Sequence, residues 1–221
     1  MRLSGIIGSA LLTPALLLSV WAQAAAPSEF VAARIYNLSE AQVRAVAVGD
    51  FNGDGKPDLV VPYYANPGQV AVLLGNGDGT FKQPIVSGNA GSEPDAIAVG
   101  DFNGDGKLDV VVADFGRNGV NGTVTLMLGN GDGTFQPGMS YSAGLNPLGV
   151  VTGDFNNDGH LDVAVLDSSN ASGSGNVIIY LGNGKGSLTL APSLTSSEFP
   201  SAIATGDFNG DGNLEPHHRQ Q

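Results

Sequence analysis

The stretch Asp50-Phe51-Asn52-Gly53-Asp54-Gly55-Lys56-Pro57-Asp58 decides the fold of this chain, because it does not stand alone. It returns as DFNGDGKLD over Asp101 to Asp109, as DFNNDGHLD over Asp154 to Asp162, and as DFNGDGNLE over Asp207 to Glu215. Successive copies start 51, 53 and 53 residues apart. A fixed period of that length marks a repeat architecture, in which each unit buries its apolar face against its neighbours.

Within each copy, oxygen-bearing side chains fall at positions 1, 3, 5 and 9, and position 6 is Gly. Hard cations such as Ca²⁺ take about six to eight oxygen ligands in a flexible cage. An Asp-x-Asn-x-Asp run on a tightly curled loop points three side chains at one centre. Gly permits the sharp turn, position 7 offers a backbone carbonyl, and the position 9 carboxylate can close the cage. In the first copy the expected ligands are Asp50, Asn52, Asp54, the carbonyl of Lys56, and Asp58. A single copy would read equally well as a polar Asx-Gly turn that binds nothing. Four copies in one register favour the metal.

The chain has 221 residues, no Cys and a formal net charge of −12. Twelve of its 21 acidic residues belong to the four loops, so the acidity is clustered rather than spread as a solvating coat. Three bound Ca²⁺ would bring −12 to −6. That surface excludes nucleic acid as a natural partner, since phosphate backbones reward basic patches. At the N-terminus, Arg2, the apolar run Ile6 to Val20 and the small-x-small triplet Ala22-Gln23-Ala24 read as a secretory signal peptide over residues 1–24, with cleavage after Ala26 fitting equally. The apolar run is short for a membrane span, and nothing later resembles one. An exported chain without Cys has no disulfides to support it, which leaves that role to bound metal.

Short apolar runs flank every loop. Phe30 to Tyr36, Val43 to Gly49, Leu59 to Tyr64 and Gln69 to Leu74 read as strands, and Thr80 to Val86 returns after a hairpin turn at Gly75 to Gly79. The pattern recurs with Ala96 to Gly100, Asp109 to Ala113, Thr123 to Leu128 and Thr134 onward. It recurs again with Gly149 to Gly153, Asp162 to Leu166, Asn176 to Leu181 and Ser187 to Leu190. Four short strands per unit of about 50 residues, without helical periodicity, predict an all-β chain of propeller blades: about three, plus a partial fourth. The hairpin turns GNGDGTF at Gly75 and Gly129 look like further acidic sites. The third copy, GNGKGSL, carries Lys185 where they carry Asp78 and Asp132, and a metal ligand would not tolerate that reversal.

The DFNGDGKPD-type loop, once per four-stranded repeat, resembles the FG-GAP/VCBS repeats of integrin α-chain propellers and of many secreted bacterial proteins. The resemblance covers residues 30 to about 215. It implies calcium in the hairpin between the first two strands of a blade. Carried over residue by residue, the ligands are Asp101, Asn103, Asp105, Lys107 and Asp109 in the second copy, and Asp154, Asn156, Asp158, His160 and Asp162 in the third. In the fourth they are Asp207, Asn209, Asp211, Asn213 and Glu215. Asn157 replaces Gly at a non-ligand position. Glu215 replaces Asp just before the chain stops, so three calcium sites are expected and the fourth departs from the pattern. An EF-hand is excluded because position 12 is Val61, Val112 or Val165 within apolar runs rather than Glu. Position 2 Phe (Phe51, Phe102, Phe155, Phe208) and position 8 (Pro57, Leu108, Leu161, Leu214) read as apolar plugs holding each loop to its blade.

The expected organisation is a leader, an orphan outer strand and linker over 28–42, and repeats over 43–90, 91–143 and 144–196. A truncated repeat and tail follow over 197–221. After Glu215 only PHHRQQ follows, and the apolar strand seen after every other loop is missing, which reads as a truncated or frameshifted chain. His217 and His218 read as incidental to a ragged tail. No Ser/His/Asp set, Cys nucleophile or Gly-rich phosphate loop is present, so catalysis is not expected. The sequence points to a secreted calcium-binding module for adhesion to extracellular protein or glycan ligands, with self-association through its open ends. The competing expectation is a propeller domain of a secreted carbohydrate-active enzyme.

Overall fold

Val, Thr and Leu dominate the runs beside each loop, and β-branched residues suit a pleated, half-buried backbone. The computed structural model describes residues 35, 36, 38, 42–65, 67–116, 121–168, 175–195 and 200–220. The leader over 1–24 and most of the strand expected over Phe30 to Tyr36 lie outside the described residues. Ile35 and Tyr36 are described, and neither lies in a regular strand. Among the described residues no helix is long and apolar enough to cross a membrane.

Every regular element among the described residues is a strand. The first sheet is β1 (Ala47–Gly49), β2 (Asp58–Tyr63), β3 (Gln69–Leu73) and β4 (Ile85–Asn89) in chain order, antiparallel throughout. The second repeats it with β5 (Pro94–Gly100), β6 (Asp109–Asp114), β7 (Thr123–Met127) and β8 (Met139–Ser142). The third has β9 (Pro147–Gly153), β10 (Asp162–Asp167), β11 (Asn176–Gly182) and β12 (Leu188–Leu190), with β13 (Leu194–Thr195) also pairing β11. The fourth is a pair, β14 (Pro200–Gly206) and β15 (Glu215–Gln220). The first strand of each sheet lies beside the first strand of the next: β1 by β5, β5 by β9, β9 by β14. Such meanders, stacked face to face with first strands innermost, are propeller blades.

The core lies between blades. Val60, Val70 and Val72 of the first blade meet Val110, Val112 and Met127 of the second. Val111, Val124 and Leu126 on the opposite face of the second blade meet Val150, Val163 and Val165 of the third. Alternate residues of one strand therefore serve two different interfaces, and this is why each strand reads as a continuous apolar run. Each fully buried Val contributes about 1.5–3 kcal/mol. The third interface is thinner, with Ala164, Leu166 and Val177 packed beside Ile203 of β14.

Two expectations are corrected. The tail after the fourth loop does form a strand: β15 pairs with β14 in the register Gly206↔Glu215 and Ala204↔His217. A ladder uses backbone groups, so once the nine-residue loop has turned the chain, EPHHRQ pairs despite lacking an apolar pattern. The strands after the hairpin turns are also broken where continuous ones were expected. Phe81 and Phe135 make only isolated bridges, and β4 and β8 start beyond Pro84 and Pro137. In the third blade the strand expected over Ser187 to Leu190 is found as β12, and pairing with β11 resumes beyond Pro192 as β13. Proline has no N–H to give to the ladder.

Candidate metal centres

Each nine-residue loop joins the first two strands of its blade and is curled by its own side chains. In the first loop Asp50 Oδ2 accepts the Gly55 N–H at 2.8 Å, and Oδ1 accepts the Asp54 N–H at 3.2 Å. Asn52 Oδ1 accepts the Asp54 N–H at 3.0 Å, and Asp54 Oδ1 accepts the Lys56 N–H at 3.0 Å. The position 1 to position 6 bond recurs from Gly106 to Asp101 at 2.8 Å, Gly159 to Asp154 at 2.9 Å and Gly212 to Asp207 at 2.9 Å. Asn103, Asn156 and Asn209 accept from position 5 at 2.9, 3.0 and 2.8 Å. Asp105, Asp158 and Asp211 accept from position 7 (Lys107, His160 and Asn213), each at 2.9 Å. These turns orient side-chain oxygens at positions 1, 3 and 5 through backbone N–H groups. Position 4 has positive φ in all four loops, and Asn157, at φ 57°, is the only non-glycine residue with positive φ among the described residues. Asn tolerates that region, which explains how the third loop does without Gly there.

Position 9 does something the sequence did not reveal. Asp58 is fully buried, and its two oxygens accept the N–H of Phe51 at 2.9 Å and of Gly75 at 2.7 Å. Asp109 does the same with Phe102 and Gly129, both at 2.8 Å, and Asp162 with Phe155 and Gly182, both at 2.8 Å. The carboxylate bolts the loop to the hairpin turn that starts 17 residues later in blade 1. A Cβ on Gly75, Gly129 or Gly182 would fall 2.1, 2.2 or 2.0 Å from the position 8 carbonyl oxygen, so only Gly allows the approach. The fourth loop has no hairpin glycine facing it among the described residues. Glu215 accepts from Phe208 N–H at 3.0 Å, and its other oxygen turns inward to Asn209 Nδ2 at 3.0 Å. Asp207, Asp211 and Glu215 thereby bring ligand oxygens within 4.8 Å of one another.

A family model described as an FG-GAP-like repeat matches residues 63–112, 101–165 and 166–215, and a second, the FG-GAP repeat, matches 43–73. The chain belongs to the FG-GAP repeat family. A comparison with curated proteins finds no match. The matched FG-GAP segments together contain all four loops, and the boundaries at 63 and 166 fall at the ends of β2 and β10 rather than between blades.

Electrostatics separate the loop carboxylates of these FG-GAP repeats by position. Hydrogen bonding to the Lys107 N–H, then to Asn103, and the Lys107 charge hold Asp105 below the usual carboxylate range. Burial raises Asp109, and the charges of Asp101 and Asp105 push it the same way. Asp162 is raised by burial too, with Asp158 and Asp154 adding to the effect. The position 1, 5 and 9 carboxylates thus feel one another, and a divalent cation would relieve that repulsion. The Lys56 and Lys107 ammonium groups reach their own position 5 carboxylates at 3.6 Å in exposed pairs, where solvent screening leaves little stabilisation.

Other roles escaped the sequence reading. Position 7 contributes a side chain as well as a carbonyl: Lys56 covers Gly77, Lys107 covers Gly131, and the exposed His160 ring lies over Gly184. Phe51 and Phe102 are buried plugs, as expected, but each plugs the next blade: Phe51 packs edge-on to Phe135 at 6.0 Å, and its carbonyl accepts the Gly133 N–H at 3.1 Å. Two further buried carboxylates, Asp114 and Asp167, close β6 and β10 at the ends opposite the loops. Asp114 accepts the Glu93 N–H, and Asp167 accepts the Asn146 N–H at 2.8 Å, so each clamps the connection arriving from the preceding blade. Their signal was present: both stand 13 residues after the first Asp of a loop, where the first blade has Tyr63.

Proposed function

We propose that this FG-GAP chain is an exported module whose loops bind calcium structurally and whose blades serve to bind a protein or glycan outside the cell. The observation that carries the metal reading is the donor set: hard oxygens at positions 1, 3 and 5, each oriented by a backbone N–H, repeated in four loops. The residues fit an oxygen-loving divalent cation and no soft metal, since the chain has no Cys. Bound calcium would be held by Asp50, Asn52, Asp54, the Lys56 carbonyl and Asp58, and by the matching positions of the other loops, among them Asp207, Asp211 and Glu215. It would supply charge neutralisation, not catalysis. The position 9 carboxylates and Asp114 already hold backbone N–H groups, which supports a scaffold role over acid–base chemistry. Export rests on the leader-like residues 1–24. Thermal melting in excess calcium and in excess chelator tests the metal reading, with a higher midpoint expected in calcium. A glycan array and an extracellular-matrix protein panel test the binding role, and retention without turnover of any sugar substrate is the expected result.

A further inference from the structure

We infer that the two clefts flanking the second blade bind one neutral linear glycan, which crosses that blade with a sugar ring in each cleft. This rests on the reading above that the blades bind a ligand outside the cell, and it names the place and the ligand chemistry. Both clefts open beside Asp114 and Asp167, the carboxylates that end β6 and β10 opposite the metal loops. Among the described residues, none from a nine-residue loop lines either cleft.

The first cleft, of about 260 Å³, lies between the first and second blades, and the second, of about 530 Å³, between the second and third. They are the same place in successive repeats. Gly91, Asp114 and Ser140 line the first, and Gly144, Asp167 and Ser193 line the second, each pair 53 residues apart. Asp114 and Asp167 form the floors and are buried. Gly91 and Gly144 have positive φ, 88° and 87°, and a Cβ there would fall 2.3 and 2.2 Å from the carboxyl group beneath. Asn121 borders both clefts, so they adjoin rather than standing as two separate holes.

The side chains of the first cleft match a ligand covered in hydroxyls. Asn89, Ser92, Asn121, Thr123 and Ser140 are short, and each both donates and accepts. Short side chains lose little rotamer freedom when a ligand fixes them. Asp114 accepts the Glu93 and Ser92 N–H groups, while the Thr123 hydroxyl reaches its Oδ2 only at 3.4 Å, long for an O–H···O bond. A ligand hydroxyl donating to Oδ2 makes a shorter, charge-assisted bond in its place. The second cleft keeps the carboxylate but has Leu145 where the first has Ser92, and it adds Ile178, Tyr180 and Leu190. Leu145 and Leu190 are 40% and 61% exposed. The C–H face of a sugar ring buries against such residues while its hydroxyls meet the polar groups around them. Among the described lining residues the two carboxylates are the only charged groups, and the chain carries −12, which repels an acidic glycan and admits a neutral one. A polymer of like units suits like clefts that adjoin.

The test titrates the whole exported chain, in excess calcium, with neutral linear oligosaccharides built on glucose, mannose, galactose, xylose or N-acetylglucosamine, from the monosaccharide to the octasaccharide. In one series affinity should climb with length and level off once both clefts are filled, at about 10²-fold or more above the monosaccharide. Asn89→Ala with Ser92→Ala strips the first cleft, and Leu145→Ala with Leu190→Ala strips the second. All four residues are exposed, so the blades should fold, and a circular dichroism spectrum like the parent's checks this. Each double variant should lose the gain with length, because one cleft alone then holds the chain. Three results overturn the inference: no series binds, affinity does not depend on length, or the gain with length survives in both double variants. A matrix protein that binds while no glycan does, and that weakens in either double variant, assigns the clefts to a peptide and refutes the glycan. That result leaves the broader binding role standing, whereas failure of every glycan and every matrix protein removes that role as well.

Discussion

Replacing Asp109 by Ala and Asp105 by Ala separates the scaffold role of a loop from its metal role. Asp109 is fully buried, and its removal orphans two buried backbone donors, the Phe102 and Gly129 N–H groups. Each buried donor left unsatisfied costs about 1–3 kcal/mol. Relief of a buried charge and entry of water into the gap return part of this, so a loss of about 2–4 kcal/mol is expected. Asp105 is exposed and gives up one hydrogen bond, accepted from the Lys107 N–H, together with a surface ion pair, so its loss should cost much less than that of Asp109. Urea unfolding of the two variants in excess chelator, followed by tyrosine fluorescence and circular dichroism, reads the difference directly. At about 2–4 °C per kcal/mol for a chain of this size, the Asp109 variant should also melt about 4–16 °C below the parent. In calcium both variants should lose one binding equivalent. If both variants unfold at the same urea concentration without metal, the reasoning about position 9 is wrong.

Other outcomes follow from the same geometry. Gly129→Ala places a Cβ 2.2 Å from the Leu108 carbonyl oxygen, so it should destabilise by at least as much as Asp109→Ala, and a neutral effect in urea unfolding would contradict the close approach. Calcium at about 100 times its Kd should add roughly 2.7 kcal/mol per occupied site, visible as a midpoint that rises with calcium concentration. Asp114 is raised above the ordinary carboxylate value, chiefly by burial. The folded chain therefore keeps that proton where the unfolded chain has lost it, and stability from this group falls as pH climbs past about 4. In chelator Asp114→Asn should flatten that part of the stability–pH curve, as read by urea midpoints, and an unchanged slope would remove Asp114 as its source.

Much of this architecture was legible because the repeat is exact at the positions that matter. The alternation of loop, apolar run, hairpin and apolar run located β2, β3, β6, β7, β10 and β11 to within a residue or so, since buried strands tolerate only apolar side chains. The outer strands were harder: they are half exposed, and a single proline shifts where pairing resumes. The tail strand β15 was invisible to side-chain patterning because the backbone ladder and the loop's turn create it. At the candidate site, the curled oxygen-rich loop could be read from Asp-x-Asn-x-Asp-Gly alone. The bolt from Asp109 to Gly129 could not, because it joins residues 20 apart whose identities are also satisfied by a turn and a ligand. Asp114 and Asp167 were overlooked for a different reason: an acidic residue ending an apolar run reads as the return to solvent, and only their common distance from the loops marks them as a set.

The central claim is that the loops are metal sites, and calorimetric titration of calcium into the exported chain tests it most directly. The account predicts saturable uptake of at least three equivalents per chain, in the range of about 10⁻⁴–10⁻³ M found for extracellular modules, and one equivalent fewer in Asp105→Ala. No uptake at millimolar calcium would contradict it, and would leave the four loops as turns held together by their own side chains.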